Sequence, residues 1–483
     1  MYLDLLTNTK LYSNYTSYIY EIKNDNLFIS NEEKMYLLFN PSIHYWIAID
    51  SIALEIFNIL LDFGYIDAVR EKLMNKYSIT ETIFNEDVYP IINNLVDLNF
   101  FTSKETPKEA EWINNSINLD SINTYPFNDI YISLSDHCNL NCIYCFNKAT
   151  RKNRILSRTE TKLSNESIIR TLQEFKELGG TGVVFTGGEP TLNKSLIDLC
   201  TEAKSMGLIT SIITNGTLLN SIDLESLLPN IDNIGISLDS IIEDELQVLW
   251  DTNSLNIKDD IFRYLDTINE LGLKYKNFKI NMMPIVCTVN KASLANLVST
   301  ITKKLSNCEV SWQMTRYSPI SIEDVDKLLN ITETDYFYAV SNSLKTTFIK
   351  EDNDSCKLNH KINAYSFSNS GKFLPPKSPK LLTCAPSFFI ANNGDVYPCQ
   401  GFEKNNYKLG NISSSSLSEL FYKKDFSHVR DRIIVNKIME CSTCELKFVC
   451  TSKCGGCITE CSKNPNNCKD IAIKRLFLQT QIY

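Results

Sequence analysis

The chain has 483 residues, 43% hydrophobic and 22% charged, the make-up of an ordinary globular protein long enough for roughly two to four domains. Its net charge of −9 is spread along the sequence, which gives no electrostatic basis for binding nucleic acid or an anionic membrane surface and leaves no acidic tail. The most apolar stretch, 45–64, is broken by Asp50, Glu55 and Asp62, each costly at bilayer depth, so no membrane span is expected. The amino terminus, MYLDLLTNTKLYSNYTS, lacks a basic start before an apolar run and is not read as a secretion signal; the cytoplasm is the expected location.

In the first hundred residues, MYLLFNPSIHYWIAID predicts two short strands, 36–39 and 45–49, around a turn at Asn40-Pro41-Ser42. Three amphipathic helices follow. Ile52, Ile56, Ile59, Leu60 and Phe63 mark the first, capped by Asp50 or Ser51 and stopped by Gly64. Ile66, Val69, Leu73 and Tyr77 mark the second, and Val88, Ile91, Leu95 and Leu98 the third, with Asp87 as cap and Pro90 in the first turn. The pattern predicts a winged-helix-like module over residues 1–104. Thr102 to Pro126 is polar and aperiodic, so 105–127 is drawn as a linker.

From Asp129 the pattern changes to strand–helix alternation. Strand-like runs fall at 130–135, 183–187, 209–214, 234–239, 278–286 and 309–314, with helical stretches between most of them. Six βα units imply an α/β domain with a parallel sheet, an open and incomplete barrel over 128–320, whose ligands gather at the carboxyl ends of the strands. A mixed bridging region, 321–383, leads to a cysteine-rich segment, 384–472, that depends on metal for its structure.

Sixteen cysteines in a large chain expected in the cytoplasm point to metal binding rather than a disulfide framework. Three lie at 138, 142 and 145, and nine lie between 384 and 468, seven of those after position 440. Cys200 and Cys287 sit in apolar helix and strand contexts and read as small buried hydrophobes. The stretch CNLNCIYC, Cys138 to Cys145, follows the first barrel strand. Its thiolates suit an iron–sulfur cluster or a zinc ion, but a structural zinc site wants a fourth ligand, and His137 is badly placed to supply it.

The next strand ends in VVFTGGEPTL, where Gly187 and Gly188 permit close backbone approach and Glu189 offers a carboxylate acceptor to an ammonium group. TNGT, Thr214 to Thr217, follows the third strand, and ISLDS brings Ser237 and Asp239 to the end of the fourth. Each of these reads singly as a turn or a helix cap. Together they converge on one mouth, where Ser237 or Asp239 can hold ribose hydroxyls.

Cx3CxxC with Tyr144 before its last cysteine, then GGEP, TNG and SLD in that order, resembles the radical S-adenosylmethionine (SAM) enzymes. The resemblance covers roughly residues 128–320. It implies that Cys138, Cys142 and Cys145 hold a [4Fe–4S] cluster whose fourth iron is open to the amino and carboxylate groups of SAM. It places Gly187, Gly188 and Glu189 at the methionine end of SAM and Asn215, Ser237 and Asp239 near its ribose. The implied chemistry is reductive cleavage of SAM, followed by hydrogen abstraction from a substrate by a 5′-deoxyadenosyl radical.

The carboxyl-terminal cysteines extend this. Cx9Gx4C, from Cys384 through Gly394 to Cys399, and Cx2Cx5Cx3C, at Cys441, Cys444, Cys450 and Cys454, resemble a SPASM domain with two auxiliary [4Fe–4S] clusters. By that resemblance Cys384, Cys399 and Cys454 share the first cluster, while Cys441, Cys444, Cys450 and Cys468 hold the second. Cys457 and Cys461 depart from the pattern, so that Cys454 and Cys457 compete for one role. Cys356, Cys457 or Cys461 completes the first cluster, or its iron stays open to a substrate thiolate.

The amino-terminal pattern resembles the peptide-recognition element of ribosomal peptide biosynthesis, in which a leader peptide adds a strand to a small sheet. The expectation is therefore a maturase of a precursor peptide that forms intramolecular thioethers, with flavodoxin or ferredoxin as electron donor. Carbon–carbon or carbon–oxygen crosslinking, epimerisation, formylglycine formation as in sulfatase-maturing relatives, and a non-catalytic iron–sulfur scaffold are the alternatives. No catalytic base is assigned, although Asp395 and Tyr397 lie near proposed cluster ligands in the sequence.

Overall fold

The computed structural model describes residues 10–13, 17–22, 34–40, 45–103, 129–145, 163–253, 256–317, 329–344, 360–362, 387–398, 400, 408–422 and the single positions 444, 446, 469, 472, 473, 476 and 477.

The amino-terminal unit forms where apolar residues alternate. Strands β1 (Tyr12–Ser13), β2 (Tyr18–Glu21), β3 (Met35–Asn40) and β4 (Tyr45–Asp50) lead into α1 (Ser51–Phe63) and α2 (Ile66–Tyr77). Then come α3 (Glu81–Ile83), a π turn (Phe84–Val88), α4 (Tyr89–Asp97) and β5 (Phe101–Thr102), which pairs with β1. Strands β2, β3 and β4 make an antiparallel sheet in that order. Asp50 caps α1 by accepting the Ala53 N–H at 2.7 Å, and Gly64 ends it at φ +75°. Leu38 and Ile49 face Ile56, Phe57, Val69 and Ile92 of the helices.

The opposite face, with Leu37, Phe39 and Trp46, joins a second core shared with the rest of the chain. Trp46 donates its indole N–H to the Leu476 carbonyl at 3.2 Å, and the Lys469 ammonium lies 5.2 Å from the Tyr20 ring centroid. The third helix differs from expectation. It starts at Glu81 with Thr80 as its cap, and Pro90 falls inside a continuous helical run. Proline lacks an N–H and crowds the carbonyl four residues back. The preceding π turn, with the Tyr89 N–H bonded to the Phe84 carbonyl, sits where that conflict arises.

The six barrel strands are β6 (Asp129–Ser133), β7 (Gly182–Thr186), β8 (Ile209–Thr214), β9 (Asn233–Ile236), β10 (Lys279–Met282) and β12 (Glu309–Trp312). They are parallel and adjacent in chain order. The expected runs 278–286 and 309–314 each break once: β10 stops before Met283-Pro284, and β11 (Ile285–Val286) then pairs with β13 (Thr315–Arg316) as a separate short ribbon. Outward residues such as Val183, Phe185, Ile234, Ile236, Val310 and Trp312 are buried in one core with the helices. These are α5 (Asn165–Glu177), α6 (Leu196–Ser205), the short α7 (Leu224–Leu227), α8 (Glu243–Trp250), α9 (Ile257–Lys274) and α10 (Leu294–Lys304). α5 is typical, with Ser164 capping it and Ile168, Leu172 and Phe175 buried on one stripe.

After α11 (Glu333–Leu344), the chain adds strands to both ends of this sheet. β14 (His360–Ile362) pairs parallel with β12, and β15 (Ser387–Ile390) pairs parallel with β6. β15 turns back at Gly394, φ +85°, into β16 (Asp395–Tyr397), which pairs with β17 (Gly410–Asn411) before α12 (Leu417–Tyr422). The glycine of Cx9Gx4C is thus the turn residue of a hairpin that extends the barrel sheet. The result is one open ten-stranded sheet, with parallel strands predominating.

Candidate active site

The loop from Leu134 to Cys145 leaves β6 and is held along its length. Its Asn141 and Ile143 N–H groups donate to the carbonyls of Trp250 and Leu249 at 3.3 and 3.0 Å. Those carbonyls end α8, where no intrahelical partner exists for them. Asn141 also bonds Asp251. Cys138, Cys142 and Cys145 are half-buried and form no disulfide. Burial, with the nearby Asp239, pushes the Cys142 thiol well above its ordinary range, a cost that a bound cation reverses by taking the thiolate.

Among the described residues no three His, Cys, Asp or Glu side chains are drawn close enough to hold a single metal ion. A [4Fe–4S] cluster does not ask for that, since each thiolate ligates a different iron. Three thiols on one pinned loop offer a separate ligand to each of three irons of such a cluster.

The Gly-Gly-Glu segment lies directly against this loop. The Gly188 N–H donates to the Ser135 carbonyl at 2.6 Å and the Glu189 N–H to the His137 carbonyl at 2.9 Å. Gly187 has φ +138°, and a Cβ there would stand 2.5 Å from the Ser135 oxygen; one on Gly188 would overlap the His137 carbonyl. The glycines are therefore needed for backbone-to-backbone contact just before the first cysteine.

Glu189 is turned inward, 1% exposed. Its Oε1 accepts from the Thr191 N–H at 3.1 Å, the Thr191 hydroxyl at 2.6 Å and the Thr214 hydroxyl at 2.6 Å, and Oε2 accepts from the Asn215 N–H at 2.8 Å. The carboxylate ties the end of β7 to the end of β8. Asn215 sends its Nδ2 to Asn139 Oδ1 at 3.0 Å and reaches Cys138 Sγ at 3.8 Å. Its Oδ1 receives the Thr217 N–H at 2.9 Å. The third strand end therefore also contacts the cysteine loop. Ser237 is half-buried, with its N–H bonded to the Thr214 carbonyl at 2.9 Å.

Asp239 is fully buried. Its Oδ2 accepts from the Tyr144 hydroxyl and, at 2.9 Å, from the Trp250 indole; Oδ1 accepts from the Ile285 N–H at 2.8 Å. Asn290, also fully buried, donates to the Asp239 carbonyl at 2.9 Å. Burial pushes the Asp239 carboxyl up to about 6. Tyr144, between the last two cysteines, is thereby fastened to the end of β9 and to β11. Its place in CIYC was visible in the sequence; the Trp250 and Ile285 donors that share Asp239 with it were not, because they come from elements far along the chain.

Gly187, Gly188, Asn215 and Ser237 are half-buried at the ends of their strands. Cys384, Cys399, Cys441, Cys450, Cys454 and Cys468 lie outside the described residues, as do Cys356, Cys457 and Cys461. Cys444 is half-buried beside the fully buried Leu446. Asp395 is engaged within its own hairpin by Asn393 at 3.0 Å, Asn411 at 2.8 Å and Lys408. Cys200 and Cys287 are fully buried, and burial pushes the Cys200 thiol up to about 12.

Residues 132–301 match the radical SAM superfamily, and residues 384–445 match SPASM, an iron–sulfur cluster-binding domain. The chain carries a radical SAM domain and a SPASM domain. SAM and [4Fe–4S] clusters are accordingly its cofactors. The cysteine-type anaerobic sulfatase-maturating enzyme of Clostridium perfringens is 27% identical over 345 residues, 67% of this chain and 87% of the relative. GTP 3′,8-cyclase of Clostridium botulinum is 24% identical over 318 residues, 62% of this chain and 91% of the relative. Among solved structures, Streptococcus suis SuiB bound to precursor peptide SuiA superposes with a TM-score of 0.53 at 18% identity, covering 87% of this chain and 92% of that one. The structure of histidine-tagged anSMEcpe with bound AdoMet gives 0.50 at 19% identity, covering 73% and 98%. At these identities the structural likeness speaks to the fold. No described helix is long and apolar enough to cross a membrane.

Proposed function

We propose that the chain is a maturase of a ribosomally made precursor peptide and that it closes intramolecular thioethers, joining a cysteine sulfur to a carbon of another residue. The observation that carries the peptide reading is the amino-terminal sheet-and-helix unit, which packs through Leu37, Phe39 and Trp46 onto the same core as the barrel. The sulfatase-maturating relative matches 67% of this chain. The fold likeness to SuiB, whose structure is described with its precursor peptide, spans 87%. A substrate delivered by a leader peptide, adding a strand to the β2–β3–β4 sheet, accounts for a unit that catalysis alone does not need.

In this reading residues 1–104 recognise the leader, 105–127 link, 128–320 form the catalytic half-barrel, 321–383 bridge and 384–472 hold two auxiliary clusters. Cys138, Cys142 and Cys145 hold the SAM-binding cluster, and the bound pair supplies the radical that removes a hydrogen atom from substrate carbon. Gly187, Gly188, Asn215 and Ser237 line the SAM site. Glu189 at the methionine end and Asp239 near the ribose complete it, while Glu189 also braces the strand ends and Asp239 fixes Tyr144. Cys384, Cys399 and Cys454 serve the first auxiliary cluster, and Cys441, Cys444, Cys450 and Cys468 the second.

Thioether closure exchanges one C–H and one S–H bond for a C–S bond. One hydrogen atom would leave with 5′-deoxyadenosine and the thiol proton would go to solvent, and the cysteines of 384–472 would hold a cluster able to take the remaining electron. A ferredoxin or flavodoxin supplies the reducing electron. Formylglycine formation is the second reading, favoured by the 27% identity to the sulfatase-maturating enzyme. Incubation with the precursor peptide encoded beside the gene decides between them, because a thioether removes one alkylatable thiol and leaves no aldehyde, whereas formylglycine reacts with a hydrazide.

A further inference from the structure

Alternate residues of the barrel strands face either the helices or the hollow side of the half-barrel. On β10 and β12, Ile280, Met282, Val310 and Trp312 are buried against the helices. The alternating set, Lys279, Asn281, Glu309 and Ser311, is at least partly exposed, and Gln313 just beyond β12 is exposed. The register places Lys279 beside Glu309 and Asn281 beside Ser311. The Lys279 ammonium is 3.2 Å from the Glu309 carboxylate. One pleat nearer the mouth, the Asn281 Nδ2 donates to Gln313 Oε1 at 3.2 Å and the Ser311 hydroxyl donates to Asn281 Oδ1 at 3.1 Å.

Asn281 also lies beside Gly235 of β9, and Met283, two residues on, donates its N–H to the Ile236 carbonyl at 2.8 Å. That strand end carries Ser237. We propose that Asn281, Ser311 and Gln313 form a seat for the main chain of the substrate segment being modified. The proposal rests on the peptide reading above and names the site at which the peptide is read.

The chemistry follows from the donor and acceptor sets. Two side-chain amides that bond each other carry both N–H donors and C=O acceptors, the complement of a peptide group, and can exchange their mutual bond for two bonds to a peptide. Lys279, the cation that β10 and β12 contribute to this wall, is already matched by Glu309, and Arg316 at the rim donates to the Ile331 carbonyl at 3.4 Å. A nucleoside triphosphate, the substrate named for the cyclase relatives, needs several cations or a metal at its phosphates. The amide and hydroxyl groups of Asn281, Ser311 and Gln313 suit a peptide main chain instead.

The test replaces Gln313 with p-benzoylphenylalanine in the full-length, cluster-loaded enzyme and irradiates it with the labelled precursor peptide encoded beside the gene. The exposed position tolerates the larger side chain, and binding to the unaltered enzyme is measured alongside by anisotropy. An adduct mapped to the segment that is modified supports the seat. Binding with no adduct, or an adduct only in the leader, overturns the seat and leaves the peptide reading standing. No binding to the unaltered enzyme overturns the peptide reading, and the seat with it. In steady-state assays Asn281→Ala raises KM for the peptide about tenfold, the size of one or two lost hydrogen bonds, with kcat changed less. A kcat loss at constant KM contradicts a binding role.

Discussion

Replacing Asp239 by Asn removes the acceptor on which the cysteine loop depends. The carboxylate accepts three hydrogen bonds, from the Tyr144 hydroxyl, the Trp250 indole and the Ile285 N–H, in a fully buried position. An asparagine keeps one oxygen, which serves Ile285, but turns its amide N–H groups toward the Trp250 donor. A buried donor left without its acceptor costs about 1–3 kcal/mol, so about 2 kcal/mol is the expected loss in holding the loop closed. If iron leaves through opening of this loop, that loss makes the open form roughly 30-fold more populated. The assay is the rate of iron removal by an excess of chelator from the anaerobic, reconstituted protein, with Tyr144→Phe and the double variant completing a cycle. The prediction is loss of the site's iron some tens of times faster in Asp239→Asn. The cycle should also give a coupling of about 1 kcal/mol or more between the two positions. Chelation within twofold of the parent, or strict additivity, refutes the latch.

Gly188→Ala drives a methyl group into the His137 carbonyl, and the variant is expected to take up less iron at this site than the parent. Gly179→Ala, which meets no atom within 4 Å and carries only the backbone penalty of φ +90°, should cost about 1–2 kcal/mol and keep its iron. Equal iron in both variants contradicts the packing argument. Changing Cys138, Cys142 and Cys145 together to Ala should abolish SAM cleavage and remove about one cluster's iron, with the auxiliary absorbance retained; full iron content refutes that ligand set. Trp46→Phe removes the bond to the Leu476 carbonyl, worth about 1 kcal/mol. Hydrogen exchange around residues 472–477 should then quicken about fivefold, and unchanged protection denies the contact any role in holding this segment.

The order of the barrel strands was readable because each carries an apolar run, closed in β6 to β9 by Gly, Asn, Ser or Asp. The cysteine loop was readable because its ligand spacing is local. What escaped came from pairings across long separations. β15 joins β6 across more than 250 positions of sequence, and three hydrophobic residues beside an Asn-Asn-Gly turn do not say which edge they extend. Pro90 pointed to a helix start, and only the π turn before it allows the helix to run back to Glu81. Asp239 and Glu189 were legible as carboxylates at strand ends. Their burial and their donors, Trp250 and Ile285 for one and Thr214 and Asn215 for the other, could be known only from the packed structure.

The central claim is that this chain crosslinks a peptide through sulfur. The direct measurement is the mass of the precursor peptide encoded beside the gene, after anaerobic incubation with cluster-loaded enzyme, SAM and reductant, followed by thiol alkylation. Loss of two hydrogens per event with a matching loss of alkylatable thiols is the predicted result. The same mass loss with every thiol still alkylated would contradict a thioether, and an unchanged mass in light water with one deuterium gained in heavy water would show epimerisation in its place.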